Sequence, residues 1–120
     1  MMEALHQRHC RSYSKGESSI DENMRDELIF EIPLWKIITH QGIEALIQEF
    51  RLLGFKEAFN FTSQIASLAE KQNHHPKIIT EWGKVTVYWW SHEIKGLHLN
   101  DFIMAAKTDL AFKLLTKTRN

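Results

Sequence analysis

The sequence predicts an α+β fold, a two-layer sandwich in which a four-stranded antiparallel sheet carries helices packed on one face. Three observations predict it. Residues 55–73 and 99–117 place apolar side chains at helical spacing. Residues 34–39, 77–82 and 84–92 are short runs rich in β-branched and aromatic residues, bounded by turn residues. The strand-like runs also cluster instead of alternating singly with helices, which favours hairpins over parallel crossovers.

Taken in order, residues 1–18 are mostly polar and without period, and they predict a mobile tail ahead of a single domain over 19–120. Within the tail His6, His9 and Cys10 lack a fourth ligand at a metal-site spacing. Ser19-Ile20-Asp21-Glu22 has the S-x-x-E form of a capping box, predicting a short helix to about Phe30 that presents Met24, Leu28 and Ile20. Pro33 ends it, and Leu34–Thr39 reads as a strand running into the turn His40-Gln41-Gly42. Residues 43–53 are readable in two ways: their propensity is helical, yet Leu46, Gln48, Phe50 and Leu52 alternate with Ile47, Glu49 and Arg51. Phe55, Ala58, Phe59, Thr62, Ile65, Ala66 and Ala69 then mark one face of a long helix between Gly54 and Pro76. Two strands flank Gly83. In the second, Val85, Val87, Trp89 and Ser91 point one way while Thr86, Tyr88, Trp90 and His92 point the other. The last helix is expected to present Leu99, Ile103, Ala106, Leu110 and Leu114.

Composition narrows the function classes. The chain has 120 residues, 43% apolar and 25% charged, with fifteen basic side chains balancing fifteen acidic ones. That balance argues against a nucleic-acid binder, which normally carries a basic face. One cysteine, Cys10, forms no internal disulfide, which fits a reducing, cytoplasmic compartment. No apolar run approaches the roughly 20 residues a membrane span needs, and the N-terminus shows no secretory h-region.

The chemistry concentrates in Glu70-Lys71-Gln72-Asn73-His74-His75-Pro76. Glu70 and His74 are four apart, hence stacked on one helix face while the helix lasts. His75 precedes proline, so its backbone turns extended and its ring departs in another direction. His92 at a strand end and Asp101 in the first turn of the last helix are expected at the same rim. Two imidazoles in different surroundings can divide acid and base roles. Plainer readings stand beside this one: a helix-capping histidine, a first-turn acid, a His-His-Pro turn. Three histidines and a carboxylate are also good metal ligands, although adjacent residues rarely both reach one ion and no H-E-x-x-H pair is present.

Glu70-Lys71-x-x-His74-His75-Pro76, Trp82, Val85, His92, Gly96-Leu97 and Asp101 together resemble the signature of the pterin-4a-carbinolamine dehydratases, and the likeness reaches upstream through Trp35, Phe55, Ala58, Phe59 and Phe61. It covers roughly residues 20–117 and decides for a strand at 43–53, paired with 34–39. Asn73 stands where animal members often have Asp, Ser91 where Thr is usual, Trp89-Trp90 is bulky, and His98 replaces a helix-capping Thr. The resemblance implies dehydration of 4a-hydroxytetrahydrobiopterin to the quinonoid dihydropterin plus water, in support of pterin recycling for aromatic amino-acid hydroxylases. It implies His74, His75 and His92 as catalytic residues. Glu70, Asn73, Pro76, Ser91, Glu93, Asp101 and Trp35 would contact the substrate or hold the imidazoles. It implies no metal and no cofactor, a homodimer or homotetramer, and a hydroxylase as a further partner, while the charge balance and the short apolar runs imply no nucleic acid and no membrane. The alternative is a non-catalytic dimerisation or coactivator-type protein on the same fold.

Overall fold

Residues 3–117 are described by the structure, a computed structural model of the chain; residues 1–2 of the expected tail and 118–120 of the expected domain lie outside the described residues. A 3-10 turn at Leu5–Gln7 precedes helix α1, Glu22–Ile29. Strands β1, Lys36–His40, and β2, Ile43–Arg51, form the first hairpin. Helix α2 spans Phe55–Gln72, strands β3, Lys77–Glu81, and β4, Lys84–Trp89, form the second, and helix α3 spans Leu99–Lys117. The sheet order is β1-β2-β4-β3, antiparallel throughout. The fold is therefore the predicted α+β one, with both hairpins joined through their inner strands β2 and β4.

Residues 43–51 are a strand, against their helical propensity, because they are paired on both sides. Leu46 sits opposite Trp89 and Phe50 opposite Val85, so the alternation fills one face with apolar side chains. Gln41 and Gly42 both have positive φ, 53° and 81°, the geometry a two-residue hairpin loop requires.

Several boundaries and faces differ from expectation. Asp21, not Ser19, caps α1, accepting a hydrogen bond from the Asn23 amide at 2.7 Å. The helix cannot start earlier because the Ile20 amide is held by the Leu97 carbonyl at 2.7 Å. Strand β4 stops at Trp89, short of His92, because Ser91 turns to pair with Gly96. On α2 the buried row is Ala58, Phe61, Ile65 and Ala69, while Phe55 and Phe59 face outward, Phe59 at 55% exposure. Both rows have helical spacing, so period alone does not choose between them. The first half of α3 is buried on nearly every side, from Asn100 to Ala105, while the expected core residues Leu110 and Leu114 are exposed.

The cause is the N-terminal segment, which was expected to be a mobile tail. Residues 3–18 lie against the domain. Leu5 is only 2% exposed and belongs to the core. The Cys10 amide donates to Gln72 Oε1 at 2.8 Å. Asn100 holds both backbone groups of Arg11, accepting from its amide at 3.1 Å and donating to its carbonyl at 2.8 Å. One apolar anchor and two side-chain amides fix a stretch that has no periodicity to show it.

Candidate active site

Asp101 is the centre of the site. It lies at the third position of α3, fully buried, and its two oxygens accept three hydrogen bonds. Oδ1 meets His74 Nε2 at 2.6 Å; Oδ2 accepts from Ser91 Oγ at 2.8 Å and from the His98 amide at 2.9 Å. His98 caps α3 where a Thr was expected: its Nδ1 accepts from the Asn100 amide at 3.0 Å while Asp101 holds its own amide. This is a capping box with an imidazole in place of a hydroxyl. Because Nδ1 accepts, the ring's proton is on Nε2, which donates to Glu17 at 2.8 Å.

His74 follows the end of α2. The helix stops at Asn73, whose left-handed backbone (φ 51°, ψ 45°) suits an asparagine. That turn swings His74 inward, where its ring stacks on the buried Trp89, centroids 5.7 Å apart and planes 10° from parallel. Trp89 is fixed in turn by its indole N–H on Thr108 Oγ1 at 3.1 Å. With Nε2 committed to Asp101, the open nitrogen of His74 is Nδ1, and the Tyr13 hydroxyl lies 3.3 Å from it. Here a cavity of about 340 Å3 opens, walled by Cys10–Tyr13 on one side and by Gln72, Asn73, His74, Glu93 and Asn100 on the other. Burial pushes the Cys10 thiol up to about 12, so it is no nucleophile at neutral pH. A second hollow, about 390 Å3 between α2 and α3, contains none of the expected site residues.

The expected site residues thus fall into four groups. His74, Ser91 and Asp101 form one buried network, with Asn73 and Glu93 at the cavity it faces. Glu70 pairs with His75 at 2.5 Å, and not with His74 as the i, i+4 spacing suggests, because the helix has unwound before His74. That pair is exposed, and Pro76 follows it partly buried. His92 is exposed beyond the end of β4, its ring 4.7 Å from that of Trp90, and it does not border the cavity. Trp35 departs furthest from expectation. It is a core residue, edge-on to Phe50 with its indole N–H on Asp109, and it does not line the cavity. Among the described residues, no three His, Cys, Asp or Glu side chains stand close enough to hold a metal ion.

A family-wide profile described as pterin 4 alpha carbinolamine dehydratase matches residues 18–111, the span from just before α1 to well inside α3. The chain belongs to this family. A protein of Chlorobium luteolum named "Putative pterin-4-alpha-carbinolamine dehydratase" is 45% identical over 114 residues, 95% of this chain and all of the relative. One of the same name from Saccharophagus degradans is 43% identical over 93% of this chain and 99% of the relative. The crystal structure of a transcriptional coactivator/pterin dehydratase from Brucella melitensis superposes with a TM-score of 0.71 at 29% identity, covering 78% of this chain and 98% of that one.

Within this family fold, sequence reasoning missed Tyr13, Asn100 and Glu17. They come from the unpatterned N-terminal stretch or from one helix position that spacing does not mark. His98 was visible only as a departure from the family's Thr. Among the described residues, no helix is long and apolar enough to cross a membrane.

Proposed function

We propose that the chain dehydrates pterin-4a-carbinolamine to the quinonoid dihydropterin by acid/base catalysis, without metal or cofactor, and so supports pterin recycling for aromatic amino-acid hydroxylases. The observation that carries this reading is the buried Asp101–His74 pair, with one imidazole nitrogen held and the other facing a cavity. The reaction asks for little else. The 4a hydroxyl leaves as water once protonated, the N5 lone pair forms the C=N bond, and the N5 proton is lost. A positioned acid and base supply this, typically worth about 10²–10⁴-fold.

In this reading Asp101 fixes the tautomer and orientation of His74, which exchanges a proton with the substrate through Nδ1. His92, one residue from Ser91, is the acid/base partner. His75, with Glu70 and Pro76, orients the pterin from the solvent side, and Asn73, Glu93 and Ser91 border its polar edge. The chain works as a homodimer or homotetramer. Strands β1 and β3 are open sheet edges, and Leu53, Phe55, Phe59 and Trp82 are exposed.

The test is the rate of quinonoid dihydropterin formation from freshly generated carbinolamine. Wild-type protein accelerates it over buffer, and His74→Ala, His75→Ala and His92→Ala each slow it at unchanged assembly size. A wild-type rate equal to that of buffer overturns the proposal and favours the non-catalytic binding protein.

A further inference from the structure

We propose that Tyr13, on the N-terminal segment, is a working residue of the site: its hydroxyl relays protons between the cavity and His74 Nδ1. The inference rests on the dehydratase reading above. Three observations carry it. Asp101 occupies His74 Nε2, so any proton that His74 exchanges passes through Nδ1. The group on that nitrogen is the Tyr13 hydroxyl, and Tyr13 also borders the cavity. Finally, Tyr13 is placed by a built network. Its ring meets His98 edge-on at 4.9 Å and 75°, and its neighbours are held by Asn100 on Arg11 and by Glu17, which bonds Arg11, the Ser14 amide and His98.

The bond has one sensible direction. With the His74 proton on Nε2, Nδ1 is an acceptor, so the phenol O–H donates to it. Burial keeps this phenol protonated by raising it above its ordinary value, against the pull of the Ser91 and Asn100 side chains. As the substrate N5–H bond breaks, its proton passes to the Tyr13 oxygen while the phenol proton passes to Nδ1. The electrons of the N5–H bond stay on the pterin. Tyr13 ends as it began, and His74 becomes an imidazolium held by Asp101. The departing hydroxide takes its proton from the acid/base partner His92 and leaves as water, and the proton gained by His74 returns to solvent through the same chain. No tyrosinate forms and no outside reagent is needed.

Tyr13→Phe tests this, because it keeps the ring against His98 and removes only the oxygen. Full-length protein is compared with Tyr13→Phe and Tyr13→Ala in the same turnover assay, with thermal melting as a check on folding. The expected result for Tyr13→Phe is a kcat about 10- to 100-fold lower with KM and melting nearly unchanged. Tyr13→Ala, which also opens the cavity wall, loses kcat and raises KM. Wild-type activity with an unimpaired Tyr13→Phe overturns the relay and leaves Tyr13 as wall alone. A Tyr13→Phe variant that is faster with a lower KM also overturns it, showing that the hydroxyl competes with substrate for Nδ1. A wild-type rate no better than buffer sinks the dehydratase reading, and the relay with it.

Discussion

Asp101→Asn separates the chemical role of the carboxylate from its structural one. Asp101 accepts three hydrogen bonds in a site with no exposure. The substituted amide can keep its oxygen on Ser91 and the His98 amide. Its NH2 group then points at His74 Nε2 and can be satisfied only if that nitrogen becomes an acceptor. The imidazole proton must move to Nδ1, the nitrogen that faces Tyr13 and the cavity. All groups remain paired, so the loss of stability is about 1 kcal/mol, the net value of one hydrogen bond. Turnover falls by about 100-fold or more, because His74 then presents a donor where the reaction needs an acceptor. Asp101→Ala behaves differently. It strands three buried donors, and breaking such a buried pair costs about 3–5 kcal/mol. Turnover assays, urea denaturation and 15N-histidine spectra read the three effects. Wild-type turnover in Asp101→Asn, or an imidazole tautomer that has not switched, would contradict this role of Asp101.

Further outcomes follow from contacts elsewhere in the fold. Asp109→Ala removes the acceptor of the buried Trp35 indole and of Gln48, and should cost about 1–3 kcal/mol in urea denaturation while leaving turnover intact. Burial holds the Asp109 carboxyl above its ordinary value, against the hydrogen bonds from Gln48 and Trp35. The folded state therefore keeps this proton to higher pH than the unfolded chain, stability declines as pH rises from about 4 through the folded value, and Asp109→Asn flattens that slope. Glu17 has the opposite sign: Arg11 first, then the Ser14 amide and His98, hold its carboxyl well below the usual carboxylate range. Its contribution is complete above the ordinary carboxyl value and is lost as pH falls through the folded one, and Glu17→Gln speeds amide exchange over residues 10–17 at neutral pH, whereas unchanged exchange contradicts the contacts drawn here. Phe61→Ala empties a fully buried site and should cost about 3–5 kcal/mol, whereas Leu114→Ala, on the exposed side of α3, should change stability by less than about 0.5 kcal/mol.

The second hairpin, α2 and α3 were legible because periods of two and 3.6 are local properties of the chain. Strand β2 was not legible from propensity, since its pairing on both edges overrides residues that favour a helix, and the family signature had to decide it. In the site, the residue types around His74 and Asp101 were visible, but their pairing was not. The spacing joins Glu70 to His74, yet the left-handed turn at Asn73 hands His75 to Glu70 and delivers His74 to Asp101. The N-terminal segment was least legible. Asn100 and Gln72 bind its backbone, contacts 89 and 62 residues apart that leave no mark on its own sequence.

The site is tested most directly by an experimental structure with a non-reactive pterin analogue bound. The bicyclic ring is expected in the cavity between Cys10–Tyr13 and Asn73–His74, its C4a–N5 edge toward His74 Nδ1 and the Tyr13 hydroxyl, with Asp101 still on Nε2. An analogue seated elsewhere, or with that edge turned away from His74, would contradict the proposed site.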